Sequence, residues 1–150
     1  MNILQLVLQI NVLYIGFLAA KHDLKTYLIP NRFTFAILLC SAFSQFLAFR
    51  GDVLLSGILI TVFHLLPSLL IRNSIGMGDV KLIAAISFGL GSAQSTLIWI
   101  SVCYILGICH GFWLKIAKKT SRIPFAVSIY GAFVLVCVGE WARVAMDYSR

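Results

Sequence analysis

Gly89-Leu90-Gly91-Ser92-Ala93-Gln94-Ser95 interrupts an otherwise apolar run that extends from Leu82 to Leu114. How that interruption is read decides how many times the chain crosses a membrane. Unbroken, the run would form a helix about 50 Å long, too long for one passage through a hydrocarbon core about 30 Å thick. Small and polar residues clustered between apolar segments mark a turn. The run therefore divides into a short helix over about 80–90 and a full one over about 95–114.

Four further runs are long enough for a span of about 20 residues, at about 2–20, 33–49, 53–71 and 123–141. The expected architecture is all-α: a polytopic membrane bundle of six transmembrane helices with a short fourth, making one membrane-embedded domain over residues 1–150. Composition points the same way. The 150 residues are 61% hydrophobic and 11% charged, with a mean hydropathy of +0.98, whereas soluble domains carry roughly 25% charged residues. Residues 1–20 hold no charge, unlike a secretory signal with its basic n-region, so the first run reads as a retained span. No internal repeat, low-complexity tract or linker is visible.

The net charge of +7 would point to nucleic acid in a soluble protein, but here the basic residues sit between apolar runs and report topology, with no nucleic-acid partner expected. With the N-terminus outside and six crossings, one side receives Lys21, Lys25, Arg32, Arg72, Lys81, Lys115, Lys118, Lys119 and Arg122. The other receives Arg50, Arg143 and Arg150. That bias has the sense the positive-inside rule requires, and it largely disappears if the short helix does not cross. Cys40, Cys103, Cys109 and Cys137 all fall in apolar runs without CxxC spacing, and read as small packing residues.

Acidic residues at or within spans are costly to bury and are functional hypotheses by default. Asp52 lies in an outer turn beside Arg50 and Gly51 and reads as solvated. Glu140 and Asp147 lie near the outer end of the last helix, where surface pairing with Arg143 and Arg150 is expected. Asp23 and Asp79 differ, because both fall at the cytoplasmic mouth within distinctive local sequence. Asp23 ends the first span and opens Asp23-Leu-Lys-Thr-Tyr-Leu-Ile-Pro-Asn31. Pro30 biases Ile29 toward extended backbone, and Asn31 is the expected N-cap of the second helix, so the chain makes a stiff return into the membrane.

Asp79 lies in Gly76-Met-Gly-Asp-Val-Lys81, at the N-cap or first turn of the short helix, where free backbone N–H groups meet a carboxylate. Gly76 and Gly78 remove two side chains beside it and permit positive φ, so a backbone could approach closely. Two carboxyls sharing one proton are the working parts of an aspartic protease. No Ser-His-Asp arrangement competes, and His22, His64 and His110 lack metal-ligand spacing, so neither metal nor cofactor is expected.

Together these segments resemble the type IV prepilin peptidase family, membrane aspartic proteases of the GxGD class. In that family one aspartate opens a D-x-R/K-x-x-x-I-P-N stretch, matched by Asp23, Lys25, Ile29, Pro30 and Asn31. The other lies in a G-x-G-D-V/x-K motif, matched by Gly76, Gly78, Asp79, Val80 and Lys81. Ile123-Pro124-Phe125 is similar to an I-P-F-G segment of the family, with Ala126 replacing the glycine. The paired CxxC zinc module of the bifunctional members is missing, so the chain looks like the short peptidase-only form, without N-methyltransferase activity.

The resemblance implies that Asp23 and Asp79 are catalytic. It also implies a pilin-like precursor as substrate, with a short basic leader cut at the cytoplasmic face of the prokaryotic inner membrane. Lys25 and Lys81 are then expected to bias the aspartates toward ionisation, whereas Lys115, Lys118 and Lys119 would repel a basic leader. Two other readings share parts of the pattern. A small proton-coupled transporter would favour acids near the bilayer midplane, and no span here has one. A non-catalytic relative assisting pilin assembly would not need both aspartates and both glycines.

Overall fold

The computed structural model describes residues 3–48, 50–71, 76–117 and 123–149. Arg72, Lys118, Lys119, Arg122 and Arg150, which enter the charge argument, lie outside the described residues. Six helices follow one another: α1 (Ile3–Thr26), α2 (Asn31–Ala48), α3 (Gly51–Leu70), α4 (Met77–Ser87), α5 (Ala93–Ala117) and α6 (Phe125–Tyr148). No strand occurs among the described residues. By length and composition, α1, α3, α5 and α6 can each cross a membrane. Helix α2 has 18 residues and α4 only 11, so the short fourth helix expected from the glycine-rich interruption is present. The turn after it spans residues 88–92.

Helix α1 runs past its expected end at residue 20 to Thr26, because nothing in Lys21-His22-Asp23-Leu24-Lys25-Thr26 breaks a helix. Tyr27 ends it with a φ of 54°, a left-handed conformation that costs a residue with a Cβ roughly 1–2 kcal/mol. Local bonds hold that turn. Tyr27 N–H donates to Asp23 O at 2.8 Å, Thr26 Oγ1 donates to His22 O at 3.0 Å, and His22 Nδ1 donates to Leu28 O at 2.9 Å. His22 thus clamps the loop that leads into Pro30.

Helix α4 occupies the middle of the bundle. Val80, Leu82, Ile83, Ala85, Ile86 and Ser87 are all buried, and the helix packs against α2, α3 and α6. The outer helices close around it through the pairs α1 with α2, α1 with α6, α6 with α5 and α5 with α3. Between α2 and α3 it is mainly α4 that makes the connection. Phe88, just past the end of α4, rests on Gly57 of α3, where a Cβ would come within 2.8 Å of its ring. The core runs through Ile37, Leu82, Ile83, Ile86, Leu90, Trp99, Ile129 and Phe133. Outward-facing Phe35, Phe46, Leu59, Phe63, Ile108 and Phe112 are exposed, an apolar surface larger than water tolerates on a monomer and suited to lipid.

At the end of the bundle that carries the α4–α5 turn, polar side chains bind the helices together. Gln45 Nε2 donates to Leu90 O at 3.0 Å, and Arg50 Nη1 donates to Gly91 O. Ser92 Oγ accepts the Ser95 N–H at 3.0 Å and so caps α5. Glu140 corrects the expectation of surface pairing with arginine: its Oε2 accepts from Gln9 Nε2 at 3.4 Å, and Trp141 Nε1 donates to the same glutamine at 2.9 Å. Asp52 and Asp147 are exposed.

Candidate active site

The opposite end gathers the C-terminal end of α1 and the N-terminal ends of α2, α4 and α6. Asp23, in the last turn of α1, is 5% exposed, and its side chain points into the bundle. Its Oδ2 accepts the backbone N–H of Ala126 at 3.1 Å. Ala126 is the second residue of α6, where N–H groups lack intrahelical partners. Pro124 stands at the N-cap position and supplies no side-chain bond, so the first turn of α6 is capped from another helix by Asp23. Phe125 lies over Gly107 of α5 and Ile123 over Gly111, positions where a Cβ would collide with those side chains. The Ile-Pro-Phe segment therefore seats α6 on α5 and aims the Ala126 N–H at Asp23. Because that contact uses backbone, it does not depend on which side chain stands at position 126.

Asp79 is the third residue of α4 and half-buried. Gly76 is the N-cap residue, with φ −61° and ψ 135°, and its carbonyl accepts the Asp79 N–H at 2.9 Å. None of the described glycines has positive φ, which corrects the expectation that Gly76 and Gly78 serve backbone freedom. They serve proximity instead. A Cβ on Gly76 would lie 3.2 Å from Asp79 Oδ2, and one on Gly78 would lie 3.4 Å from Ile29 Cβ. The loop carrying Ile29-Pro30 and the start of α4 thus lie against each other.

Asn31 is the first residue of α2 rather than a residue before it, and its Oδ1 accepts from Lys81 Nζ at 3.1 Å. The expected capping oxygen is thus directed to the second motif. Lys25 and Lys81 are both exposed. Lys81 bonded to Asn31 and Gly78 lying against Ile29 hold the two motifs side by side, so the structure brings to one end of the bundle the two acids that the sequence separates.

Three neighbours, Ala126, Cys103 and Tyr104, were not indicated as site residues by sequence reasoning. Cys103 of α5 is fully buried in the core beside Tyr104 in sequence. Tyr104 packs on Phe125 with ring centroids 6.3 Å apart, and its hydroxyl lies 2.6 Å from Nε2 of the buried His64. The other ring nitrogen, Nδ1, is 2.7 Å from Ile60 O. A carbonyl only accepts, so Nδ1 carries the proton, Nε2 accepts, and Tyr104 donates. This pair links α3, α5 and the start of α6. The Ala126 donor had one signal, the Ile-Pro-Phe helix start; Cys103 and Tyr104 had none.

A multi-pass membrane bundle with two acids converging at one end is the class that fold and site define. The chain belongs to the type IV leader peptidase family, whose model matches residues 10–112. The matched segment contains both acidic motifs and stops short of α6, so the Ala126 contact to Asp23 comes from outside it. No curated protein and no solved structure matches the chain.

Proposed function

We propose that the chain is a membrane aspartic endopeptidase in which Asp23 and Asp79 form the catalytic dyad. It removes the short basic leader of type IV pilin-like precursors, whether prepilin, pseudopilin or Flp-type, at the cytoplasmic face of the inner membrane. One observation carries the reading: two carboxyls from separate motifs stand at one end of the bundle, in a chain that belongs to a leader peptidase family. In the proposed mechanism the pair holds one proton between its members, because like charges brought close resist joint ionisation. The ionised carboxylate takes a proton from water, and the resulting hydroxide equivalent attacks the scissile carbonyl. The protonated partner donates to the carbonyl oxygen, and the tetrahedral intermediate collapses as the leaving nitrogen gains a proton. The products are the leader's carboxylate and the mature protein's amine, with one water consumed.

Site placement fits this substrate. A leader held at the membrane surface and an apolar helix held in the bilayer would present their junction at the bundle end where the acids lie. Co-expression with a candidate precursor, followed by its size shift, tests the proposal. Wild type is expected to cleave, and Asp23→Asn and Asp79→Asn are each expected to abolish cleavage. Full cleavage by either variant would exclude the shared-proton mechanism.

A further inference from the structure

Two cavities open at the end of the bundle away from Asp23 and Asp79, and they share a wall. The larger, about 410 Å³, lies in the gap between α2 and α3, lined by Leu38, Ala42, Phe46 and Leu54 with Phe88 as its floor. The other, about 310 Å³, is lined by Gln9, Arg50, Glu140 and Arg143 among other polar groups. Both volumes fall within or near the size of small-ligand sites. Gln45 lines both cavities. The chain neighbours Arg50 and Gly51, and likewise Phe88 and Gly89, are divided between the two, so an apolar groove lies directly beside a charged compartment, with Gln45 between them.

Gln45 itself is incompletely satisfied. It is 5% exposed, its Nε2 is held by Leu90 O, and its Oε1 is buried without a partner. A buried acceptor left unpaired is destabilising, and a donor brought by a ligand, met by a small movement of the Gln45 side chain, would relieve it. The compartment beyond holds two arginines against one glutamate, and that glutamate already receives Gln9. Arg50 gives one N–H to Gly91 O and keeps other donors on its guanidinium. The combined demand is for an apolar chain, an anionic group for the arginines and a hydrogen-bond donor for Gln45.

We infer that the two adjoining cavities together bind one glycerophospholipid of the leaflet opposite the acid pair. Its acyl chain lies in the α2–α3 groove, its phosphate lies at Arg50 and Arg143, and a headgroup hydroxyl or ammonium donates to Gln45 Oε1. Phosphatidylglycerol and phosphatidylethanolamine meet all three demands. Phosphatidylcholine has no donor and meets two. The site does not depend on the proteolytic reading, since none of its residues belongs to the acidic motifs.

The test uses the full chain, purified in a neutral detergent and stripped of lipid. It is titrated with these three lipids, matched in acyl chains, and with inorganic phosphate, and bound lipid is read by native mass spectrometry. Wild type is expected to retain phosphatidylglycerol or phosphatidylethanolamine about tenfold better than phosphatidylcholine, the scale of one charge-assisted or buried hydrogen bond. Gln45→Leu is expected to abolish that preference. Arg143→Gln, an exposed position with little bearing on folding, is expected to weaken all three lipids about tenfold. Leu54→Trp is expected to block them. Equal retention of all three lipids by wild type would overturn the assignment, as would competition by inorganic phosphate alone. So would a photo-crosslinker at Leu54 that captures polypeptide instead of lipid. If Gln45→Leu fails to fold, the phosphatidylcholine arm on wild type and Arg143→Gln decide the matter.

Discussion

Lys81 Nζ donates to Asn31 Oδ1 across 3.1 Å, joining residues 50 positions apart. Each belongs to the motif of a different acid, so this bond, with Ile29 lying against Gly78, is a direct tie between the Asp23 loop and the Asp79 helix. Both partners are exposed, which limits the bond to about 1 kcal/mol. Asn31→Ala and Lys81→Ala are each expected to slow leader cleavage roughly fivefold with little change in melting temperature. The double variant should be no slower than either single one. Additive losses in the cleavage rates would show that the two residues act apart.

Gly76 offers a separation of stability from activity. Its φ of −61° and ψ of 135° are open to any residue, so Gly76→Ala should stabilise the fold by about 0.4–1 kcal/mol through the unfolded chain. The added methyl would stand 3.2 Å from Asp79 Oδ2 and crowd the carboxylate. A raised melting temperature with reduced cleavage is the expected pair of results. Gly78→Ala, meeting Ile29 at an ordinary 3.4 Å, should reduce cleavage less.

The contact from Ala126 to Asp23 is made by backbone, so side-chain exchange and N–H removal should differ. Ala126→Gly keeps the donor and is expected to cleave within about twofold of wild type. Ala126→Pro removes it in the first helical turn, where proline is best tolerated. Loss of a donor to a charged group corresponds to about tenfold or more in rate. Circular dichroism with retained helix content would confirm that the loss is local.

Tyr104→Phe leaves His64 Nε2 buried without its donor. An unsatisfied group of this kind costs about 1–3 kcal/mol, and thermal unfolding in detergent should show the decrease. His64→Phe/Tyr104→Phe, which removes both polar ends, is expected to recover part of it. A single variant as stable as wild type would show that the 2.6 Å contact carries no stability.

Much of the architecture was legible because its signals are local. Gly89 to Ser95 read as a turn and the turn falls at residues 88–92, since small and polar residues cannot continue an apolar span without a purpose. The two acidic motifs were found by their own prolines and glycines. The end of α1 was missed because Tyr27, which terminates it in left-handed backbone, is not a residue that announces such a conformation. Glu140 was assigned to nearby arginines, whereas its partner Gln9 is 131 positions away. Ala126 was even less visible as a donor to Asp23, 103 positions away, because an N–H is present at almost every residue and only packing selects one.

The brevity of α4 sets the depth of what it carries. Eleven residues rise about 16 Å, roughly half the hydrocarbon thickness. A lipid-facing helix so short would force the bilayer to thin around it. Helix α4 escapes that mismatch because other helices surround it, and those helices meet the lipid in its place. Its first turn can therefore be countersunk below the headgroups, at a level fixed by protein packing. A carboxylate mounted there would have its level set by the bundle rather than by the thickness of the bilayer.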